Sequence, residues 1–133
     1  AELPGLAVGT VHLESLNHQD YRAAQLARSA EVLRIYGDSL LVGDFNFDSE
    51  RNFKAPHVPL DNAALMAHAA DFVDLWPALR PEDRGLTFDS VKNPYIGKFE
   101  QMRYDRVLTR LRNWTATGIE RVGHEPVDPG PLS

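Results

Sequence analysis

Leu40-Leu41-Val42-Gly43-Asp44-Phe45-Asn46-Phe47-Asp48-Ser49-Glu50 is the stretch whose reading decides how this chain folds. The short run from Ser39 to Gly43 is apolar after its first residue, which predicts a strand buried on both faces rather than an exposed edge. Such a strand delivers Asp44 and Asn46 to its carboxyl end, where α/β proteins place their sites. Asp44 can accept a proton or hold a water, and Asn46 offers a donor and an acceptor together. Asp44, Asn46 and Asp48 also match the opening of a calcium-binding EF-hand loop. That reading fails, because Ser49 stands where glycine is required and Ala55 where the last glutamate is required. The plainer alternative is that Asp44 and Asn46 only shape a turn.

Working outward, Leu6 to Leu13 alternates loosely and predicts a strand. Asn17 or Asp20 is expected to cap a helix after it. Leu26, Ala30, Leu33 and Tyr36 follow at helical spacing, with Gly37 as the expected terminator. This half therefore reads β-α-β. Beyond the opening stretch, residues 44–60 read as a polar loop with Pro56 and Pro59, and Asp61 to Ala70 as a short helix. Phe72 to Trp76 is apolar and is expected to stop at Pro77. Further strands are predicted over Arg103 to Thr109 and Trp114 to Val122, and no internal repeat occurs.

Composition narrows the class. The chain has 133 residues, 43% hydrophobic and 25% charged, and a net charge of −5. The length favours one domain and the apolar fraction excludes a disordered chain. The acidic balance excludes a general nucleic-acid coat, although a divalent cation among carboxylates can supply positive charge locally. Cysteine is absent, which excludes disulfide scaffolds and thiol catalysis. No apolar run is long enough to span a bilayer, and Ala1 to Gly9 has no signal-peptide pattern. The expectation is a soluble, intracellular protein.

Other segments carry possible chemistry. His12 ends the first strand in Thr10-Val11-His12-Leu13-Glu14-Ser15, where a structural histidine is the plain alternative. Arg103-Tyr104-Asp105-Arg106 alternates a carboxylate with two arginines, and a solvated edge strand explains that equally. Thr87-Phe88-Asp89 with Asn93 reads as turn and loop. His124-Glu125 is no zinc motif, since Pro126 breaks the helix it needs. His57 and His68 read as surface residues, and neither a GxSxG elbow nor a GK[ST] loop occurs.

Taken in order, these segments form a pattern: a strand ending in HLES, a helix bearing Arg22 and Gln25, then GDFN, TFD with Asn93, and RYDRV. The succession resembles the endonuclease/exonuclease/phosphatase family of DNase I-like phosphoesterases. The tyrosyl-DNA phosphodiesterase type 2-like branch is the nearest, through His12 to Ser15 and Val73-Asp74-Leu75-Trp76. The resemblance runs from about Leu6 to Ser133. It implies an α/β class, part of a DNase I-like sandwich with a mixed β-sheet and flanking helices. It also implies hydrolysis of a phosphodiester substrate, with DNA expected, assisted by magnesium or manganese. Asp44 matches the aspartate that activates the attacking water and takes part in metal binding. Asn46 matches the asparagine that holds the phosphate, and His12 and Ser15 match phosphate contacts. Asp105 matches the aspartate that orients a catalytic histidine. Thr87, Phe88 and Asn93 match a wall of the substrate cleft.

Two departures qualify the likeness. Asp48 stands where the branch tends to carry a basic residue that grips substrate, and its charge is expected to repel phosphate. The family's metal-binding glutamate belongs to an N-terminal half, and its terminal Ser-Asp-His lies where this sequence ends at Ser133. The 133 residues are therefore expected to be an incomplete domain, since such a sandwich needs roughly 250 residues. Alternatives are a lipid or inositol phosphate head group as substrate, or a non-catalytic interaction module of the same fold.

Overall fold

The computed structural model describes residues 3–48 and 61–123. The expectations attached to Pro56, His57, Pro59, His124, Glu125 and Ser133 lie outside the described residues. The predicted central strand is β2, Tyr36–Asp44, and no residue of it is exposed. It lies between β1 (Leu3–His12), which runs parallel to it, and β6 (Asp105–Arg110), which runs antiparallel. A two-residue strand, β3 (Val73–Asp74), pairs with the far side of β6. The sheet order is β1-β2-β6-β3, and β4 (Phe88–Asp89) forms a separate hairpin with β5 (Gln101–Met102). The mixed sheet with flanking helices agrees with the expected fold class. No helix among the described residues is long and apolar enough to cross a membrane.

Residues directly opposite in a ladder share a face, so alternation sorts this sheet into two surfaces. Ala7, Val11, Leu41 and Leu108 turn toward α1 (Gln19–Leu33), where Leu26, Ala30 and Leu33 close the core with Phe45, Phe47 and Phe72. The other surface carries Leu6, Val8, Thr10 and His12 opposite Asp38, Leu40, Val42 and Asp44. Leu6 and Val8 remain 44% and 59% exposed there.

Helix ends depart from the sequence expectation. His18 occupies the N-cap of α1 with no side-chain cap bond, so neither Asn17 nor Asp20 acts as the cap. Gly37 does not end the helix. Arg34 closes it, with its N–H on Ala30 O, and Gly37 and Tyr36 already belong to β2. Tertiary contacts override the local signal here: Arg34 is held by Asp71 and His68 O. Leu3 N–H reaches Ile35 O at 2.7 Å, so pairing begins before the glycine. The alanine-rich helix forms as α2, Asn62–His68. Pro77 does not stop its segment, because it sits in the first turn of α3 (Leu75–Leu79), where a missing N–H costs no helix bond.

Residues 114–122 form no strand. Among the described residues both edges of β6 are already paired, to β2 and β3, and the segment adds to neither edge strand of the sheet, β1 or β3. Side chains bind this segment instead. Arg80 Nε donates to Ile119 O, and Arg121 donates to Leu86 O and stacks over Trp76. The exit from β6 is fixed by buried Asp38. Its carboxylate accepts the Asn113 side-chain amide and the backbone N–H groups of Arg112, Asn113 and Trp114. These bonds, the Asn113 side chain first, hold Asp38 at about 2, below the ordinary 3.8. A depressed carboxylate stabilises the fold above its unfolded value and loses that contribution as pH falls from about 4 through 2. Asp38→Asn is therefore expected to lower the unfolding midpoint at pH 6 and to leave it nearly unchanged at pH 2. Parallel melting curves of the two proteins across that range check it.

Candidate active site

β1 and β2 run parallel and end together, and antiparallel β6 begins where they end. That topology sets His12, Asp44 and Asp105 in one register row on the open surface of the sheet. His12 Nε2 lies 3.6 Å from Asp44 Oδ2, with the histidine side chain 75% exposed and the aspartate 32%. Asp105 is also exposed. Three separate sequence positions thus form one polar edge. β6 is not a solvated edge strand, since it lies inside the sheet with Arg103 and Arg106 buried.

The turn after β2 is built for this edge. Gly43 has φ +134°, and a Cβ there would meet Val11 O at 2.0 Å, so no side chain fits the close β1–β2 approach. Asp44 Oδ1 accepts the Asn46 N–H at 2.8 Å, while Asn46 takes φ +54°. The turn reading of these two residues is thus correct as far as it goes. Asn46 Nδ2 donates to Leu13 O at 2.7 Å, and Leu13 N–H donates to Asp44 O. The turn and the loop after His12 are therefore tied to each other. Ser15 is half-buried in that loop and its N–H meets Glu14 Oε1. Among the described residues, no hydrogen bond joins Ser15 to Asp44, Asn46 or Asp105.

An open cleft of about 800 Å³ borders this edge, lined by Gly43, Thr87, Phe88, Asn93 and Asp105 among others. Asp105 belongs to both groups, as a wall of the cleft and as the register partner of Asp44. His12, Asp44 and Asn46 stand outside the cleft lining, immediately beyond Gly43. Thr87 serves the wall indirectly: its Oγ1 accepts the N–H groups of Tyr104 and Asp105. Phe88 packs on the Tyr104 ring at 5.8 Å between centroids, and Tyr104 OH donates to buried Glu100. Burial first, and then Glu100, push the Tyr104 phenol far above its ordinary value, so it stays protonated. Asn93 caps the hairpin tip, its Oδ1 accepting the Tyr95 N–H.

Asp48 does not meet the cleft as a repelling charge. It is 4% exposed, and its Oδ2 accepts the Arg103 N–H at 2.6 Å. A carboxylate so committed supports β6. Sequence reasoning also missed Asp74, which binds both Arg103 and Arg106, and the buried pair of Arg22 and Asp61. One signal was available: Arg22 precedes Leu26, Ala30 and Leu33 at helical spacing, a place where an amphipathic helix carries an apolar residue. Among the described residues no group of three or more His, Asp or Glu side chains comes together to hold a cation. Asp44 alone does not compose a metal site among the described residues, and with His12 and Asn46 beside it the edge can handle a proton and position a ligand.

No protein-family model and no curated protein matches the chain. Solved structures do. Truncated Caenorhabditis elegans TDP2 aligns with a TM-score of 0.56 and 24% identity, over 79% of this chain and 40% of that one. D. rerio TDP2, complexed with a single strand DNA product, aligns with a TM-score of 0.65 and 21% identity, over 91% of this chain and 49% of its own. The fold is that of part of a TDP2 structure, as the motif order implied. The chain spans less than half the length of each of these two structures.

Proposed function

We propose that this chain supplies one half of a phosphodiester-hydrolysing sandwich that acts on DNA. The observation that carries the reading is the register row His12–Asp44–Asp105, which ends against a cleft walled by Thr87, Phe88 and Asn93. Its support is a fold shared with a protein solved with a single strand DNA product. Hydrolysis requires a water to attack phosphorus, a P–O bond to break, and a proton to reach the leaving oxygen. On this reading Asp44, beside exposed His12, takes the proton of that water. Asn46 and His12 offer N–H donors to the phosphoryl oxygens, with Ser15 as a further donor from the adjoining loop. On this reading Asp105 orients the histidine of the Ser-Asp-His that the family resemblance implies for the whole domain, and Phe88 offers a ring face to a base or sugar.

Magnesium or manganese belongs to the proposal as the group that neutralises phosphoryl charge. Asp44 would hold it together with the glutamate that the family resemblance implies for the N-terminal half of the domain. On this reading the domain is incomplete within the 133 residues, and the chain alone is inactive. A lipid head group is the second reading. It is favoured by one feature, the β4–β5 hairpin, whose Val91, Tyr95 and Phe99 are 69%, 95% and 74% exposed.

The test compares the 133-residue chain with the full-length protein on single-stranded DNA, on phospholipid vesicles and on bis(p-nitrophenyl) phosphate. The expected result is magnesium-dependent cleavage of DNA and of the generic diester by the full-length protein only. Faster turnover of the vesicles would favour the lipid reading. Chelator-sensitive turnover by the isolated chain would overturn the half-domain assignment.

A further inference from the structure

We infer that Arg22 and Asp61 are positioning residues that hold the loop from Leu13 to Asn17 in its phosphate-facing shape, an inference that rests on the function proposed above. Arg22 is the fourth residue of α1 and is 3% exposed, on the same helical stripe as Leu26, Ala30 and Leu33. An arginine there displaces an apolar residue from the core, so its contacts must compensate for desolvating its charge.

Those contacts use the guanidinium on both edges. Nε and Nη2 grip the Asp61 carboxylate at 2.8 and 3.1 Å, and Asp61 is itself 5% exposed. Nη1 faces the other way and donates to Glu14 O at 3.0 Å and Leu16 O at 2.8 Å. One turn along α1, Gln25 Oε1 accepts the Glu14 N–H at 2.7 Å. The loop is therefore held by α1 from one side and by the Asn46 bond to Leu13 O from the other.

The loop needs holding. Leu16 has φ +60° and is 69% exposed, so an apolar residue sits in the left-handed region without packing to keep it there. Asn46 is the other non-glycine residue with positive φ among the described residues. Both strained positions thus flank the His12–Asp44 edge, and each backbone is tied to a side chain, Leu16 O accepting from Arg22 and Asn46 N–H donating to Asp44. Lysine at position 22 would lack the planar fork that binds a carboxylate and two carbonyls at once.

The experiment uses Arg22→Met/Asp61→Leu, which removes both charges and leaves neither buried alone. NMR of the full-length protein reads the backbone φ of Leu16 through its scalar couplings, and the Glu14 amide through its shift. The expected result is loss of the left-handed geometry at Leu16 and a moved Glu14 amide, with Leu41 and Leu108 unchanged. In the full-length protein, kcat on bis(p-nitrophenyl) phosphate should fall about 10- to 100-fold with KM nearly constant, as misplacement by an ångström can produce. Arg22→Lys should not restore it. Unchanged Leu16 couplings in the double variant would overturn the clamp, and changed couplings with unchanged kcat would overturn its role in positioning. If the double variant does not fold, Arg22→Lys, which keeps the charge beside Asp61 without the fork, gives the same readouts at Leu16, Glu14 and kcat, and unchanged Leu16 couplings there overturn the clamp. A wild-type protein inert toward every phosphodiester would overturn the function proposed above, while the Leu16 couplings still decide the clamp.

Discussion

Asp44→Asn in the full-length protein is expected to lower kcat on a phosphodiester by about 10²- to 10⁴-fold, the range of a lost general base. The substitution is nearly isosteric, and the asparagine Oδ1 can still accept the Asn46 N–H that closes the turn. The turn should therefore persist, with the melting midpoint within a few degrees of wild type. What disappears is the carboxylate charge beside His12. Steady-state kinetics with a melting curve on the same preparation separate the two effects. Activity within threefold of wild type would remove Asp44 from the mechanism.

Asp74→Ala is expected to be the most damaging single change to the fold described here. Asp74 ends β3 and accepts Arg103 Nη1 and Nη2 at 2.9 and 2.7 Å, and Arg106 Nη1 at 3.3 Å. Both arginine side chains are buried, Arg106 completely. Burial, and then the neighbouring Arg103, already press the Arg106 guanidinium down to about 10. Its other supports are Phe47 O at 2.9 Å and the Phe47 ring at 4.4 Å. Without Asp74, two buried cations lose a shared anion, which costs about 3–5 kcal/mol, a large part of the 5–15 kcal/mol typical of a domain. Denaturant unfolding measures it. Arg106→Met in the Asp74→Ala background should recover part of the loss by removing one of the stranded charges. A loss below about 1 kcal/mol would mean that the two arginines are held by Phe47, Asp48 and the backbone alone.

The clamp, the Asp74 pairs and the Asp48 support share a trait: each joins residues more than 25 positions apart. None of these pairings was visible in the chain read alone. Arg103 and Arg106 read as an exposed alternating pair because charge in a strand ordinarily marks solvent. They are buried because Asp74 and Asp48 arrive from elsewhere to neutralise them. Asp48 read as a repelling charge at the cleft for the same reason, since its partner on Arg103 lies 55 residues away. Trp114 to Val122 carries strand-forming residues, but Arg80 and Arg121 hold that segment through side chains, and propensity does not report such contacts.

Gly43-Asp44-Phe45-Asn46 told more than its length suggests, because short-range physics governs it. An apolar run makes a central strand, glycine permits the approach of Val11 O, and Asp-Asn closes the turn through neighbouring atoms. The central strand, the β-α-β order and the mixed sheet were legible for that reason. That His12, Asp44 and Asp105 form one row was not, because it depends on the register of three strands. Register is set by which faces the core buries, a property of the packed sheet and not of any one segment. The row of candidate catalytic groups, and the buried charges beneath it, therefore came into being only when β6 was laid antiparallel between β2 and β3.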